Sequence, residues 1–156
     1  MQLLVDSPLG PLGVAVDGPA VVGVRFGASA GSAGAHPAVA ELTAYFAGTL
    51  TGFTVPVRMT GGSEFERAVW AEIAGIPYGE MLTYGEIATA LGDPGAARAV
   101  GTACNRNPVP VIVPCHRVVG AGGKMVGFGG GIDRKRRLLE LEARVALTQA
   151  WGLTSD

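Results

Sequence analysis

The sequence predicts an α+β protein, in which a small N-terminal β-sheet with one helix precedes a helical C-terminal region. Apolar and polar residues alternate in the first third, around a turn-forming Asp-Gly pair. Two helix-capping patterns, starting at Ser63 and Thr83, then introduce helical spacing of the apolar residues. A Thr-Gly-Gly stretch separates the two regions, so we expect domains at 1–60 and 63–156.

The composition predicts a globular cytoplasmic protein. The chain has 156 residues, of which 48% are hydrophobic and 16% charged, enough for one ordinary domain or two small ones. No apolar run approaches the ~20 residues of a membrane span, and the first residues lack an export signal. We therefore expect no membrane partner, and free thiols at Cys104 and Cys115. Their spacing fits neither a redox pair nor a zinc pair, so we expect no metal.

Positive charge is concentrated in one segment of the chain. The net charge is −1, yet residues 96–137 contain eight basic residues, with Asp133 as the one acid. Such a segment can hold a polyanion such as nucleic acid. A solvated surface that is balanced in space by glutamates elsewhere explains the same charges, so charge alone leaves both interpretations open.

The N-terminal region is predicted to begin with a β-hairpin. Two apolar runs flank Asp17 and Gly18, a pair that tolerates the positive φ of a tight turn. Val22, Val24 and Phe26 alternate with other residues and should form one face of a half-buried strand. These strands supply the predicted sheet.

One helix and one further strand complete the N-terminal region. Val39, Leu42 and Phe46 recur at helical spacing. Gly48 stands where this helix should end. Residues 53–59 are predicted to form a strand at a sheet edge, because their proline cannot donate to a ladder.

Two capping boxes start the first helices of the C-terminal region. Ser63 and Glu66 can each accept the other's free backbone N–H, and the apolar residues that follow keep helical spacing until the next proline. Thr83 and Glu86 repeat this pattern at the start of a helix over 83–91. Both helices are therefore predicted from local sequence.

A third helix is predicted over 93–105, with Pro94 in the favoured first turn. With the helix over 83–91 it forms a helix-turn-helix pattern, which places its second helix in a DNA groove. The outer face of this second helix carries small residues, and Arg98 is its one long cation. An ordinary helical hairpin with an alanine-rich packing face is the commoner explanation of such a pattern.

The stretch Pro-Cys-His-Arg is the strongest chemical signal. A nucleophilic cysteine needs nearby cations or a base to form its thiolate, and His116 and Arg117 supply both types beside Cys115. Neighbours on an extended chain point to opposite sides, so His116 would act through a bridging water or a bend. Glu142 on the last helix is a candidate to orient the imidazole. The alternative is an inert cysteine at the end of a strand over 109–113.

A glycine-rich segment follows at 120–131. It is not a phosphate-binding P-loop, because Met125 rather than Ser or Thr follows Lys124. Glycines suit a loop that wraps closely around a flat ligand, and Phe128 offers a face on which a base can stack. The segment is therefore a candidate base-binding loop.

Residues 76–142, with their Pro-Cys-His-Arg-Val and Gly-Phe-Gly-Gly-Gly motifs, resemble the O6-alkylguanine-DNA alkyltransferases, also called methylated-DNA–protein-cysteine methyltransferases. Weaker similarity reaches the opening Ser-Pro-Leu-Gly-Pro-Leu, so the resemblance covers almost the whole chain. It implies a ribonuclease H-like N-terminal domain and a C-terminal domain with a winged helix-turn-helix. It also implies DNA repair by a single-turnover reaction, in which O6-alkylguanine or O4-alkylthymine gives its alkyl group to Cys115. The implied partner is double-stranded DNA, with no cofactor and a monomeric free protein.

The resemblance also implies roles for individual residues. Cys115 attacks the alkyl carbon of a flipped-out guanine, while His116 acts as the base through water and Glu142 holds it. Arg98 fills the gap left by the flipped base, and Tyr84 moves the target phosphate and donates to the guanine. The implied catalytic residues are Cys115, His116, Glu142, Tyr84 and Asn107. The implied DNA-binding residues are Thr83, Tyr84, Ala96, Ala97, Arg98 and Asn105, and the implied pocket residues are Val118, Phe128, Gly129 and Gly130.

Some of these implied roles concern the backbone and the pocket wall. Asn107 matches an asparagine that locks the turn after the recognition helix, and the Cys115 carbonyl and the Val118 backbone would read the guanine edge. Phe128 stands where the family usually has tyrosine, and Gly129 where some members have serine. Stacking on the base survives both changes, whereas the hydroxyl hydrogen bonds do not.

Two other functions fit the same residues. A DNA-binding regulator or damage sensor would use the helix-turn-helix and keep Cys115 for packing or redox chemistry. A Cys-His hydrolase would form an acyl-enzyme and turn over. The three differ in their covalent products, since only the repair reaction leaves a permanent alkyl group on the protein.

Overall fold

The computed structural model describes residues 1–126 and 130–152. Its strands are β1 Gln2–Val5, β2 Leu12–Asp17, β3 Ala20–Phe26, β4 Leu82–Thr83 and β5 Val118–Val119. Its α-helices are α1 Pro37–Phe46, α2 Glu64–Ala74, α3 Tyr84–Ala90, α4 Ala97–Asn105 and α5 Ile132–Ala150. The three-stranded sheet lies in the first part of the chain, and most helices lie in the second together with the short β4–β5 pair, which confirms the α+β class. Within the described ranges, no helix is both long and apolar enough to cross a membrane.

The N-terminal sheet is antiparallel, in the order β1-β2-β3. The hairpin between β2 and β3 turns at Gly18, whose φ is 59°, as predicted. The predicted buried face of β3 is partly wrong, because Val21 and Val24 are buried and Val22 is only half-buried. Val22 is the extra residue of a bulge opposite β2, so the alternation of side chains reverses there.

Helix α1 confirms the prediction made from its apolar spacing. Leu42 is fully buried, and Val39 and Phe46 are half-buried against the core. The His36 imidazole caps the first turn by accepting a backbone hydrogen bond. Gly48, with a φ of 80°, follows the end of the helix. This helix contacts β1 and belongs to the same apolar core as the sheet.

The segment 53–59 is not a strand, contrary to the prediction. It pairs with β3 through one isolated bridge, between Val57 and Val21. The Val21 N–H donates to the Pro56 carbonyl at 2.9 Å, and the Arg58 N–H donates back to the Val21 carbonyl at 3.0 Å. Because Pro56 has no N–H of its own, the ladder does not extend further in that direction.

Helices α2 and α3 begin at the predicted capping boxes. In the first, the Ser63 N–H donates to the Glu66 carboxylate at 2.9 Å, and the Glu66 N–H donates to the Ser63 hydroxyl at 3.1 Å. Thr83 and Glu86 make the equivalent pair at 3.0 and 3.1 Å. Each box satisfies backbone donors that the first helical turn leaves free, which explains why local sequence was sufficient.

Helix α4 begins later than predicted, at Ala97 instead of residue 93. Asp93, Pro94 and Gly95 form a turn, closed by a 3.0 Å hydrogen bond from the Ala96 N–H to the Asp93 carbonyl. Proline in the second position of a turn after aspartate is as favourable as proline in a first helical turn. The two helices of the predicted helix-turn-helix are in contact. Because α4 starts later, the connection between them is longer than expected and runs from the end of α3 at Ala90 to Ala97.

The predicted strand over 109–113 is instead a series of turns. The prolines on either side of Val109 lack an N–H and cannot join a ladder. The Asn107 side chain holds the segment, donating to the Val113 carbonyl and accepting from the Val109 N–H, both at 2.9 Å. Val111 takes a positive φ of 74° within it. The predicted role of Asn107 in locking this turn agrees with these two hydrogen bonds.

One apolar core runs through both regions of the chain. Val14 from the sheet, Tyr45 from α1, Ile73 from α2 and Leu138 from α5 belong to the same buried cluster as Cys115. This shared core fixes α1 and α5 relative to the segment that carries the cysteine.

Candidate active site

Cys115, His116 and Arg117 lie on a single 3₁₀ turn that follows Pro114. The Arg117 N–H donates to the Pro114 carbonyl at 2.9 Å, which closes the turn. All three side chains are buried, with His116 fully inaccessible. The chain therefore bends at the cysteine, but among the described residues no hydrogen bond joins the His116 ring to Cys115.

Glu142 on α5 gathers the side chains behind this turn. The His116 Nε2 lies 2.7 Å from Glu142 Oε2, as the sequence predicted for an orienting acid. Arg117 donates to both carboxylate oxygens, from Nε at 2.8 Å and from Nη2 at 2.9 Å. Tyr45 of α1 donates to Oε2 at 2.6 Å, and the Gly79 N–H donates to Oε1 at 3.2 Å. We call these five residues the carboxylate cluster.

The carboxylate cluster holds Glu142 in its ionised form. Burial alone would raise the pKa of Glu142, but the hydrogen bonds from His116 and Arg117 lower it below its usual range. Because the ionised carboxylate only accepts, the Nε2 of His116 must carry the proton that it donates. The Nδ1 is then a lone-pair acceptor, and among the described residues it has no hydrogen-bond partner.

His116 is suited to act as a base at neutral pH. Burial lowers its pKa, and the neighbouring Arg117 and Lys135 charges act in the same direction, while Glu142 opposes them in part. The imidazole is therefore neutral and its Nδ1 can accept a proton. The buried, unpartnered nitrogen is the atom through which the site can remove a proton from a neighbour or from a bridging water.

Cys115 holds its proton in the free protein. Burial raises the pKa of the thiol to about 11, although the Asn107 side chain and the Lys135 charge lower it in part. The expectation that Arg117 favours the thiolate is wrong, because its guanidinium is committed to Glu142 and to the Ile76 carbonyl at 2.7 Å. The cation that acts on the sulfur is Lys135.

Lys135 is a functional candidate that sequence reasoning missed. Its side chain is 0% exposed, and its Nζ donates to the Val118 carbonyl at 2.6 Å and the Val126 carbonyl at 2.9 Å. It also lies 3.5 Å from the Tyr84 hydroxyl. Lys135, Leu138 and Glu142 follow one another at helical spacing, so the periodicity of α5 would have placed this lysine on the buried face.

Cys115 lines a pocket of 330 Å³ between the two regions of the chain. Asn105, Cys104 and Gly130 lie around it on the C-terminal side. The N-terminal region contributes residues 24–26 of β3, which sequence reasoning did not assign to the site. The pocket falls within the size range of small-molecule sites and has room for a purine base.

The backbone around Val118 is already engaged in hydrogen bonds. Its N–H donates to the Cys115 carbonyl, and its carbonyl accepts from Lys135. Both carbonyl oxygens retain a second lone pair, so contacts of this backbone with a guanine would use those lone pairs. Gly130 lines the pocket as predicted, whereas Phe128 and Gly129 lie outside the described residues.

The predicted DNA-binding residues lie along α3 and α4. Thr83 caps α3, and the Tyr84 hydroxyl donates to the Val126 carbonyl at 2.9 Å. Burial raises the pKa of Tyr84 to about 12, so it stays protonated and able to donate. Ala96 and Ala97 are half-buried at the start of α4, while Arg98 and Asn105 are exposed. The exposed face of α4 therefore carries Arg98 as a projecting cation among small residues.

Comparison with known proteins gives a consistent set of similarities. The family described as 6-O-methylguanine DNA methyltransferase, DNA binding domain, matches residues 64–144. The methylated-DNA–protein-cysteine methyltransferases of Mycobacterium leprae and Mycobacterium bovis are 47% and 48% identical to the chain. The alignments cover 92% of both chains for the first, and 88% of this chain and 89% of the relative for the second.

Solved structures are similar over the same length. The crystal structure of Mycobacterium tuberculosis OGT in complex with DNA has a TM-score of 0.84 at 47% identity, covering 92% of this chain and 93% of that one. An O6-methylguanine-DNA methyltransferase from Pyrococcus kodakaraensis has a TM-score of 0.73 at 28% identity, covering 91% and 99%. The similarity therefore extends over both regions of the chain.

Proposed function

Because the chain belongs to the O6-methylguanine DNA methyltransferase family, we propose that it repairs DNA by moving the alkyl group from O6 of guanine to its own Cys115. One observation supports this site most directly. The buried Cys115 lines a pocket with room for a purine, on the same turn as a histidine whose Nδ1 lacks a partner among the described residues. O4-alkylthymine is a second substrate on the same proposal.

The chemical step is a direct displacement. The proton of the Cys115 thiol passes to His116 Nδ1 through a bridging water, and the sulfur then attacks the alkyl carbon. The carbon–sulfur bond forms as the carbon–oxygen bond breaks, and the electron pair stays on the guanine. Tyr84, whose hydroxyl lies beside Lys135, is the proposed donor of the proton that neutralises the departing base. The thioether is stable, so each molecule acts once.

The Glu142 carboxylate supports this step without taking the proton. Its oxygens already accept hydrogen bonds from His116, Arg117, Tyr45 and the Gly79 N–H. It therefore stabilises the imidazolium that forms when His116 becomes protonated. Burial works against the imidazolium, and the carboxylate offsets part of that cost when His116 takes the proton of the buried thiol.

The proposed architecture is a ribonuclease H-like domain over 1–60 and a winged helix-turn-helix domain over 63–156. Helices α3 and α4 supply the helix-turn-helix, and the parallel pair of β4 and β5 joins it to the cysteine turn. A minor groove about 6 Å wide suits the small residues of α4. Arg98 would then occupy the stack from which the guanine is extruded, offsetting part of the few kcal/mol that flipping costs. The free thiols fit a reducing cytoplasm, where we place the protein.

Intact-mass analysis tests the proposed reaction. Incubation with duplex DNA carrying O6-methylguanine should add one methyl group per chain, with no turnover. Cys115→Ser should add none, while Cys104→Ser, which changes the other thiol of the pocket, should still add one. Stable binding to DNA without a mass change would indicate a regulator or sensor, and turnover would indicate a hydrolase; either result contradicts the proposal.

Arg98→Ala tests the proposed role of α4 in base flipping. Repair of duplex DNA should slow by at least tenfold, because a gap in the base stack costs a few kcal/mol. Reaction with free O6-benzylguanine needs no flipping and should keep its rate. Equal losses on the two substrates would remove Arg98 from this role.

A further inference from the structure

Tyr45 brings the N-terminal region into the carboxylate cluster. Its hydroxyl donates to Glu142 Oε2 at 2.6 Å, across 97 residues of sequence. His116 Nε2 contacts the same oxygen at 2.7 Å. Tyr45 is 0% exposed, so water does not compete for this carboxylate oxygen from its side. Two donors from opposite regions of the chain thus share one buried acceptor.

Aromatic packing fixes the position of the Tyr45 hydroxyl. The Phe46 ring packs edge-on at 5.2 Å between centroids, and the Phe53 ring is tilted at 5.4 Å. The Tyr78 ring packs edge-on at 6.1 Å. With rings on three sides, the Tyr45 phenol cannot leave Glu142 without repacking the core. The hydroxyl is therefore a permanent member of the cluster.

We propose that Tyr45 is a positioning residue for alkyl transfer, which acts through Glu142 to set how readily His116 accepts the proton of Cys115. Its hydroxyl acts on the site through its hydrogen bond to Glu142, which in turn binds His116. This inference rests on the proposed function for its kinetic consequence, but its effect on His116 can be measured without any reaction.

The effect of Tyr45 on His116 follows from the shared oxygen. Each donor to Oε2 withdraws part of its negative charge, so removal of the Tyr45 hydroxyl leaves more charge facing His116. His116 would then bind its second proton more tightly and remain protonated, and so unavailable as a base, up to a higher pH. The charged or titratable groups around this pair are Glu142, Arg117, Lys135, Cys115, Tyr78 and Arg144. Since Tyr45→Phe changes none of them, a difference would come from the hydroxyl.

Tyr45→Phe, studied by NMR on ¹⁵N-histidine-labelled protein, tests the inference directly. The chain has two histidines, His36 and His116, and His36 caps the same helix that carries Tyr45. We expect the pKa of His116 to rise in the variant while the chemical shifts of His36 stay as in the wild type. A change at both histidines would indicate a general loosening of α1 and would overturn the specific role.

The kinetic readout is benzyl transfer from free O6-benzylguanine to the protein as a function of pH. For Tyr45→Phe, the acidic limb of the rate profile should move to higher pH, with a loss of about threefold to tenfold on that limb and little change on the plateau at higher pH. A uniform loss at all pH values would show a merely structural role. If the wild-type protein transfers no benzyl group, the proposed function fails, while the NMR titration still decides the role of Tyr45.

Tyr78→Phe is the matched control. Tyr78 contacts the ring of Tyr45 and lies near Arg117, but its buried hydroxyl has no hydrogen-bond partner among the described residues. Removing this hydroxyl should therefore leave the His116 titration and the rate profile as in the wild type. An equal shift in both phenylalanine variants would contradict the inference.

A second variant covers the case in which Tyr45→Phe does not fold. Replacement of Tyr45 by 3-fluorotyrosine keeps the ring and makes the hydroxyl a stronger donor. Glu142 should then face His116 with less charge, and the acidic limb should move to lower pH. An unchanged or upward-moving limb in this variant would overturn the proposal.

Discussion

The carboxylate cluster and the surroundings of Cys115 are both buried, yet the first favours the ionised form of its acid and the second favours the neutral form. Glu142 accepts five hydrogen bonds, and these keep its pKa below the usual range in spite of burial. Cys115 has weaker support from Asn107 and Lys135, and burial raises its pKa to about 11. In the resting protein, therefore, the Glu142 carboxylate is ionised and the Cys115 thiol is protonated.

This difference shows how a buried cysteine can be both protected and reactive. A thiol is far less reactive than a thiolate, so Cys115 resists incidental electrophiles while its proton is in place. The ionised Glu142 makes His116 able to take that proton when a substrate fills the pocket. Reactivity then depends on the cluster behind the histidine more than on the immediate neighbours of the sulfur.

Of the variants considered, Glu142→Gln should have the largest effect on both stability and alkyl transfer. The amide leaves the buried Arg117 guanidinium without its counter-charge, and His116 loses the acceptor that orients it. Removing one partner of a buried pair costs about 3 to 5 kcal/mol, which urea denaturation can measure, and alkyl transfer should fall by at least a hundredfold. Glu140→Gln changes an exposed carboxylate on the same helix and is the control. A loss of unfolding free energy below about 1 kcal/mol would show that the cluster does not depend on the charge of Glu142.

At alkaline pH the folded protein should lose stability because Cys115 loses its proton. Its folded pKa of about 11 lies above the ordinary value of about 8.5 for a cysteine, so the folded state holds this proton more tightly than the unfolded chain. The stability that results is complete below pH ~8.5 and is lost as the pH rises toward 11. Between pH 7 and 10, wild type should lose about 2 kcal/mol more than Cys115→Ala in urea unfolding. Parallel curves for the two proteins would mean that the thiol is already ionised or solvated at rest.

Lys135→Met should have a smaller effect, limited to the ionisation of Cys115. The variant keeps an unbranched side chain but removes the cation that lowers the pKa of Cys115. Transfer at neutral pH should slow by about tenfold, because the thiol then gives up its proton less readily. Arg136→Met, at the exposed neighbouring position, should not change the rate. If both variants react like wild type, the sulfur does not depend on the lysine.

Local sequence predicted the elements whose stabilising contacts are themselves local. The capping boxes at Ser63 and Thr83 define α2 and α3 through bonds across three residues. The start of α4 failed because Asp-Pro-Gly favours a turn as well as a helix start. The strand over 109–113 failed because the prolines exclude a ladder and Asn107 offers the backbone another set of partners.

Parts of the site could not be predicted because they depend on contacts between distant segments. Cys115, His116 and Glu142 were found from side-chain chemistry and family resemblance. Tyr45 was not, because nothing in its own segment indicates an acceptor 97 residues away. From the sequence, Lys135 was only one of the eight basic residues of the segment 96–137, although its spacing from Leu138 identifies the buried face. Whether such a lysine is buried decides its role, and the helical periodicity of its neighbours is the sequence feature that indicates burial.

The final position of the transferred methyl carbon shows directly whether Cys115 is the alkyl acceptor. The protein is allowed to react with duplex DNA carrying guanine labelled with a trideuteromethyl group on O6, and the label is located by fragment-ion mass spectrometry. We expect one label per chain, entirely on the Cys115 sulfur, with unlabelled Cys104 from the same pocket as an internal reference. A label on Cys104, or release of the methyl group as methanol, would contradict it.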